Sequence, residues 1–434
     1  MNRRRTLAFV ALLASCLGNS GIAHSQDVLI RGAKVHTVTA MGTLERADVL
    51  VRGGRVVEVG SGLAAAAGAT VVEANGRPLT PGLFGGITGL GVVEIELESS
   101  TVDRSALVGD GASGPAFVPR PEFDVAPAFN PDSVSIGVNR SEGITFAMIA
   151  PNASGTLFAG QGAVARLDGS DDPFVAASRT QFLDLGSSAT AGVGYSRAAQ
   201  FMLLQQAARE ALPGMPLQAG DVRMLTPTGR EVLAGYLAGG RIAFAVDRAV
   251  DIRQVLDFAA RHGVKPVIVG GAQASQVATL LARSKVPVVL EPLLALPGTF
   301  DQLGASMENA AQLQRAGVPI LFTHFSAGTN SAHKVRQGAG VAVAHGLPWD
   351  AALAALTSTP ADVFGLGAAA GRIMPGSPAD LVLWSGDPLE VTTVAEQVWI
   401  GGRPQSMRSR QTELRDRYRP AGLTSGPVAP ARQE

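Results

Sequence analysis

Cysteine is almost absent from these 434 residues, and Cys16 is the only one. It lies in "MNRRRTLAFVALLASCLGNSGIAHSQ", where Arg3, Arg4 and Arg5 precede an apolar run from Leu7 to Leu17 and a small, polar stretch follows. That succession has the form of a secretory signal peptide, with cleavage expected after Ala23-His24-Ser25. Removal of residues 1–25 leaves a mature chain without a thiol, which excludes disulfides, a cysteine nucleophile and thiolate metal ligands. The alternative is a lipoprotein signal, because Leu13-Ala14-Ser15-Cys16 has the form of a lipobox and would anchor the chain by a lipid on Cys16. Both readings predict a periplasmic or secreted protein.

Charge is also scarce. Charged residues make up 17% of the chain, and 36 basic residues balance 36 acidic ones. No basic stripe marks a nucleic-acid partner or an anionic membrane surface. No segment of the mature chain reaches eighteen unbroken apolar residues, so no transmembrane span is expected. Lysine occurs only as Lys34, Lys265, Lys285 and Lys334, and histidine only six times. Apolar residues, at 46%, predict a large buried core in one large or two modest domains.

What is present falls into three zones. Residues 26–80 read as short strands with tight turns, including Arg52-Gly53-Gly54-Arg55 as a hairpin turn. From 81 to 369, apolar runs such as "GITFAMIA", "RIAFAVD", "VKPVIVGG", "VPVVLEP" and "VPILFTHF" alternate with helical stretches such as "IRQVLDFAARHG", "QVATLLARS" and "ENAAQLQRAG". Buried strands alternating with amphipathic helices predict a (β/α)8 barrel. Strand character returns over 370–405 in "GRIMPGSPADLVLWSGDP" and "VAEQVWIGGRP". The expected architecture is α/β: a barrel plus a small composite β-sandwich built from both ends of the chain. Residues 406–434 read as a charged helix and a disordered tail.

The order of these strings resembles the amidohydrolase superfamily, metal-dependent hydrolases of imidazolonepropionase-like type, over about residues 27–405. "VLIRGAKVHTV" and "ADVLVRGGRVVEVG" are similar to the family's opening strands, and "EANGRPLTPGLF" to the approach to its barrel. "ALTSTPADVFGL" with "AGRIMPGSPADLVLWSGDP" resembles its closing segment. The resemblance implies hydrolysis of C–N bonds in cyclic amides, ureas or dipeptides. It also implies a divalent metal that lowers the pKa of a bound water. The implied ligands are a His-x-His ending the first barrel strand, often a lysine on the fourth, histidines on the fifth and sixth, and an aspartate on the eighth.

None of these residues stands in its place. "PLTPGLFGGITGL" puts Ile87 and Gly89 at the paired histidine positions, and no histidine lies between His36 and His262. No lysine lies between Lys34 and Lys265, although a glutamate substitute on the fourth strand is conceivable. The fifth strand offers Asp247 and Arg248, the sixth ends in Gly270-Gly271, and no acid occurs from Asn309 to Trp349. The expectation is a degenerate member, with no metal, no other cofactor and no metal-dependent hydrolysis.

Two further readings stay open. One is a periplasmic ligand-binding or scaffolding protein that takes a small molecule, oligomerises, or pairs with an active relative. The other is a metal-independent hydrolase using Asp247, Glu291 and His324, with Arg248 and His333 binding substrate. Against those roles, Arg248 is also placed to form a salt bridge with Asp247 or Glu291, Asp251 to cap a helix beginning at Ile252, and His324 and His333 to face solvent on a loop. His36 and His262 read as structural, the latter as a cation favoured at a helix C-terminus. "AGQGAVARLDG" lacks a P-loop lysine and reads as a surface loop with a strand, and Trp384 as packing. No G-x-S-x-G elbow is present, and a carboxylate pair for glycoside chemistry cannot be chosen without distances.

Overall fold

The computed structural model describes residues 27–106, 119–153, 156–190, 193, 195–212, 223–294, 296–324 and 328–419. The signal segment, Cys16 and the tail from 420 lie outside them. The chain first lays down β1 (Val28–His36), β2 (Thr43–Arg52), β3 (Arg55–Gly60), β4 (Thr70–Glu73) and β5 (Pro78–Pro81). The Gly53-Gly54 turn joining β2 to β3 has positive φ at both residues (53° and 78°), the geometry a two-residue hairpin demands.

The barrel strands follow: β6 (Leu83–Thr88), β7 (Ile144–Ile149), β8 (Phe158–Arg166), β9 (Thr180–Asp184), β10 (Arg241–Val246), β11 (Lys265–Gly270), β12 (Val288–Leu290) and β13 (Ile320–Phe322). They pair in sequence order as one eight-stranded sheet. All neighbours are parallel except β8, which runs antiparallel to both β7 and β9. The seam between β13 and β6 is bridged by a side chain. The Thr323 hydroxyl accepts from the Ile87 N–H (3.0 Å) and donates to the Ile87 carbonyl (3.1 Å). Gly86 leaves room for that contact, since a Cβ there would lie 2.7 Å from Thr323 Oγ1.

β8 bears out the strand read in "AGQGAVARLDG" and corrects its surface placement, because seven of the nine β8 residues are buried in the barrel wall. Its glycines serve close packing. A Cβ on Gly160 would meet the Phe123 carbonyl at 2.6 Å, and one on Gly162 the Ile149 carbonyl at 2.2 Å. The barrel is filled by inward side chains that include Phe84, Phe146, Met148, Val164, Val267 and Leu321. Phe364 packs on Phe84 with ring centroids 5.8 Å apart.

The helices are α1 (Val134–Arg140), α2 (Arg197–Ala211), α3 (Pro227–Leu237), α4 (Ala249–His262), α5 (Ala278–Arg283), α6 (Asn309–Arg315), α7 (Val335–Ala344), α8 (Trp349–Leu356), α9 (Ser358–Val363) and α10 (Arg410–Tyr418). In α4, buried Ile252, Val255, Leu256 and Ala259 keep the i, i+3, i+4, i+7 spacing of one apolar face, and Gly263 ends the helix at φ 70°. The helix begins three residues earlier than expected, so Asp251 sits in its first turn and does not cap it.

After the barrel the chain returns as β14 (Leu381–Trp384), β15 (Ala395–Ile400) and β16 (Arg403–Pro404). β14 pairs antiparallel with β5, so both ends of the chain build one sheet, ordered β16-β15-β14-β5-β1-β2-β3, with β4 also on β1. This small domain is a single hydrogen-bonded sheet, where a two-sheet sandwich was expected. Its core mixes Ile30, Val49 and Leu79 with Leu381, Leu383 and Trp399.

Two residues tie the sheet to the barrel. Trp384 is fully buried in the hydrophobic cluster of the barrel's helices and strands, while its indole N–H donates within the sheet to Thr80 Oγ1 (2.9 Å). The buried Arg336 of α7 lies 5.2 Å from the Trp384 ring and donates to the carbonyls of Pro388, Glu390 and Thr393. Among the described residues no helix is long and apolar enough to cross a membrane.

Candidate functional site

The C-terminal ends of the parallel strands, where a barrel of this kind carries its variable loops, open onto two adjoining cavities. The smaller, about 320 Å³, is lined by Ile87, Thr88 and Gly89 from the end of β6, by Asp184, and by His324 just past β13. The larger, about 470 Å³, is lined by Asp184 at the end of β9, by Asp247 and Glu291 just past β10 and β12, and by Asp301 and Met307 of the segment that follows. Asp184, Ala245 and Val269 belong to both walls.

The metal implied by the resemblance does not fit this mouth. Ile87, where a paired histidine is expected, is a buried hydrocarbon packed in the barrel interior, and Gly89 has no side chain. Among the described residues no group of three or more His, Cys, Asp or Glu side chains converges as a metal cage would require.

The mouth does hold a carboxylate–imidazole pair. Glu291 Oε1 lies 2.8 Å from His324 Nδ1, and the two side chains are only 7% and 9% exposed. A carboxylate oxygen can only accept, so Nδ1 carries the hydrogen, and in the neutral imidazole Nε2 keeps its lone pair. No hydrogen bond engages Nε2 among the described residues, and His324 forms part of the cavity wall. This arrangement can take a proton from a bound water or from an N–H or O–H of a ligand. The expectation of a solvent-facing His324 is thus replaced by a buried one that faces a cavity.

Asp247, the third candidate, lines the larger cavity and contacts neither partner of that pair. Its carboxylate accepts from the Ala272 N–H and from Gln302 Nε2, both at 3.1 Å. Asp184 accepts from the Gly186 N–H (2.8 Å) and the Ser188 hydroxyl (2.7 Å). Burial raises the pKa of both carboxyls. The charges of Asp247 and Asp301 add to the rise at Asp184, and that of Asp301 adds to it at Asp247.

Arg248 and His333 are placed elsewhere. Arg248 grips Asp251 with two hydrogen bonds (2.6 and 2.9 Å), not Asp247 or Glu291, and lies in the wall of neither cavity. His333 meets Asn139 Oδ1 through its backbone N–H (2.8 Å) and its Nδ1 (3.1 Å), also outside both walls. Burial, helped by Lys334 and Arg336, pushes its pKa down to about 4. His262 differs from the expected helix-end cation, because burial and Arg261 lower its pKa and its ring packs on Phe258 (4.5 Å). His36 is held by Thr43 (2.9 Å) and Trp349.

The sequence reading missed Asp184, Asp301 and the Glu96–Arg104 pair (3.6 Å) at the rim of the smaller cavity. Asp184 had the signal that revealed Asp247, an acid ending a strand, but "TQFLD" is too polar to stand out as a buried strand.

Comparison with known proteins gives concordant likenesses. A sequence model of the Amidohydrolase family matches residues 314–405. An amidohydrolase from Thermotoga maritima MSB8 is similar over 88% of this chain and 100% of its own, with a TM-score of 0.75 and 26% identity. An adenosine deaminase from Xanthomonas campestris with bound zinc shares the fold over 90% of this chain and 97% of its own, with a TM-score of 0.51 and 18% identity. Amidohydrolase tasK of Hapsidospora irregularis is 49% identical over 61 residues, which are 14% of this chain and 6% of that protein.

Proposed function

We propose that this chain is a member of the amidohydrolase superfamily, a reading supported by these likenesses, and that it is a ligand-binding barrel that has lost metal-dependent hydrolysis. The observation that carries the reading is a retained mouth beside Ile87 and Gly89, where ligands would have to stand. Strand ends, cavity and polar wall persist, so a small molecule has a place to sit while the water-activating ion has none. On the form of its N-terminus alone, we place the mature chain in the periplasm or outside the cell. Metal analysis of the dialysed mature protein tests the proposal. No stoichiometric ion is expected, and one equivalent of zinc, manganese or nickel overturns it. Stabilisation by a small ligand in a thermal-shift screen of hydantoins, dipeptides and imidazolones would then separate a binder from a scaffold that pairs with an active relative.

A second reading is favoured by one observation, the Glu291–His324 pair with its open Nε2. It is metal-free proton transfer, in which His324 takes the proton of an attacking water and Glu291 steadies the imidazolium that forms. Turnover in chelator that disappears in His324→Gln supports this reading, and unchanged turnover in that variant rejects it.

A further inference from the structure

The charges around the mouth do not balance. In the rim of the smaller cavity Glu96 is answered by Arg104 at 3.6 Å. In the larger one Asp301 is bound by Arg197 and by the Ser187 N–H (2.9 Å). Glu291 is engaged by His324. Asp184 and Asp247 differ, because their described partners are all neutral: two backbone N–H groups, a serine hydroxyl and a glutamine amide. No lysine or arginine is among the described residues lining the larger cavity that both carboxylates share. Two half-buried carboxylates on one cavity wall without a counter-cation repel each other and pay for lost hydration.

A separate observation points to a ligand in the same place. The His324 side chain is nine-tenths buried and forms part of the adjoining cavity's wall, and no hydrogen bond engages its Nε2 among the described residues. Asp184 stands in the wall between the two cavities. The polar complement is therefore one positive group and one neutral donor, set either side of Asp184. Leu290, Leu294 and Met307 add hydrocarbon to the larger wall, beside Thr299 and Ser306, and Ile87 and Val269 add it to the smaller, beside Thr88, Asn152 and Thr329. Among the described lining residues the only arginine or lysine is Arg104, already paired with Glu96, so a carboxylate-bearing ligand is poorly matched.

We infer that the barrel mouth binds a small amine, with its ammonium or guanidinium group between Asp184 and Asp247, a neutral N–H or O–H on His324 Nε2, and an apolar body between. This rests on the proposed reading of a ligand-binding mouth without a metal. It adds the class of ligand.

Matched probes test it on the mature, chelator-treated protein by titration calorimetry near neutral pH: leucinamide (cationic, with an amide donor), N-acetylleucinamide (neutral), N-acetylleucine (anionic) and 3-methylbutylamine (cationic, without the amide). Leucinamide is expected to bind and the two acetylated probes to bind at least about tenfold more weakly. Asp184→Asn and Asp247→Asn should each weaken leucinamide by about tenfold, while His324→Gln weakens leucinamide and spares 3-methylbutylamine. The inference is overturned by equal binding of the neutral or anionic probe, by no binding of leucinamide, or by leucinamide binding that both aspartate variants leave intact. The metal content of the same sample keeps the two ideas apart. A bound metal rejects the underlying reading, whereas metal-free protein without amine preference rejects only the ligand class.

Discussion

His324 and His333 stand nine positions apart, and the sequence offers no means of telling their environments apart. Each is decided by a partner far along the chain, Glu291 for one and Asn139 for the other. His333, with its folded pKa near 4 against an ordinary 6.5, binds fewer protons folded than unfolded between those values. Its contribution to stability is therefore complete above pH 6.5 and falls as the pH drops towards 4. The swing is roughly 2 kcal/mol, allowing for partial exposure of the ring. Urea unfolding from pH 7 to 4.5 should show a steeper loss in the native chain than in His333→Asn, and parallel curves would refute the assignment. Asp247 and Glu291 were legible because each ends a visibly apolar strand. Asp301 was not, because only folding brings its loop back to Arg197 and Ser187.

Among the elements, β8 and the β13–β6 seam depart most from a regular β/α alternation. The burial of β8 in the barrel wall was not legible because its glycines imitate a loop, although they let Phe123 and Ile149 approach. The parallel strands from β10 to β13 were legible, since their β-branched runs are buried on both faces. The seam rests on one hydroxyl that satisfies both backbone groups of Ile87. Thr323→Val keeps the shape and leaves a buried N–H and a buried carbonyl without that partner. A loss of about 2–4 kcal/mol is expected in urea unfolding, with Thr323→Ser restoring most of it. If valine and serine behave alike, the hydroxyl does not hold the seam.

At the scale of the whole molecule, the composite domain was legible because strand-rich zones flanked a β/α core, though its closure as one sheet needed the β5–β14 register. Arg336 is one joint between the two bodies, and its interactions with three carbonyls and Trp384 define a test. Arg336→Leu should cost about 3 kcal/mol. It should also separate two unfolding signals. All three tryptophans lie in or against the small sheet: Trp384 and Trp399 within it, and Trp349 on His36. Tryptophan fluorescence should change at lower urea than far-UV circular dichroism in the variant, and coincident curves would mean that Arg336 does not couple the domains. The shared sheet also has a consequence in time. β5 must wait for β14, and Pro81 precedes its partner Leu381 by the entire barrel. At ~5–20 residues per second of synthesis, that wait lasts about 15–60 s. For that interval Ile30, Val49 and Leu79 lack the Ile373, Ala379, Leu381, Leu383 and Trp399 side of their core, so the newborn chain is most exposed to aggregation, and to rescue by a chaperone, while its barrel is still being made.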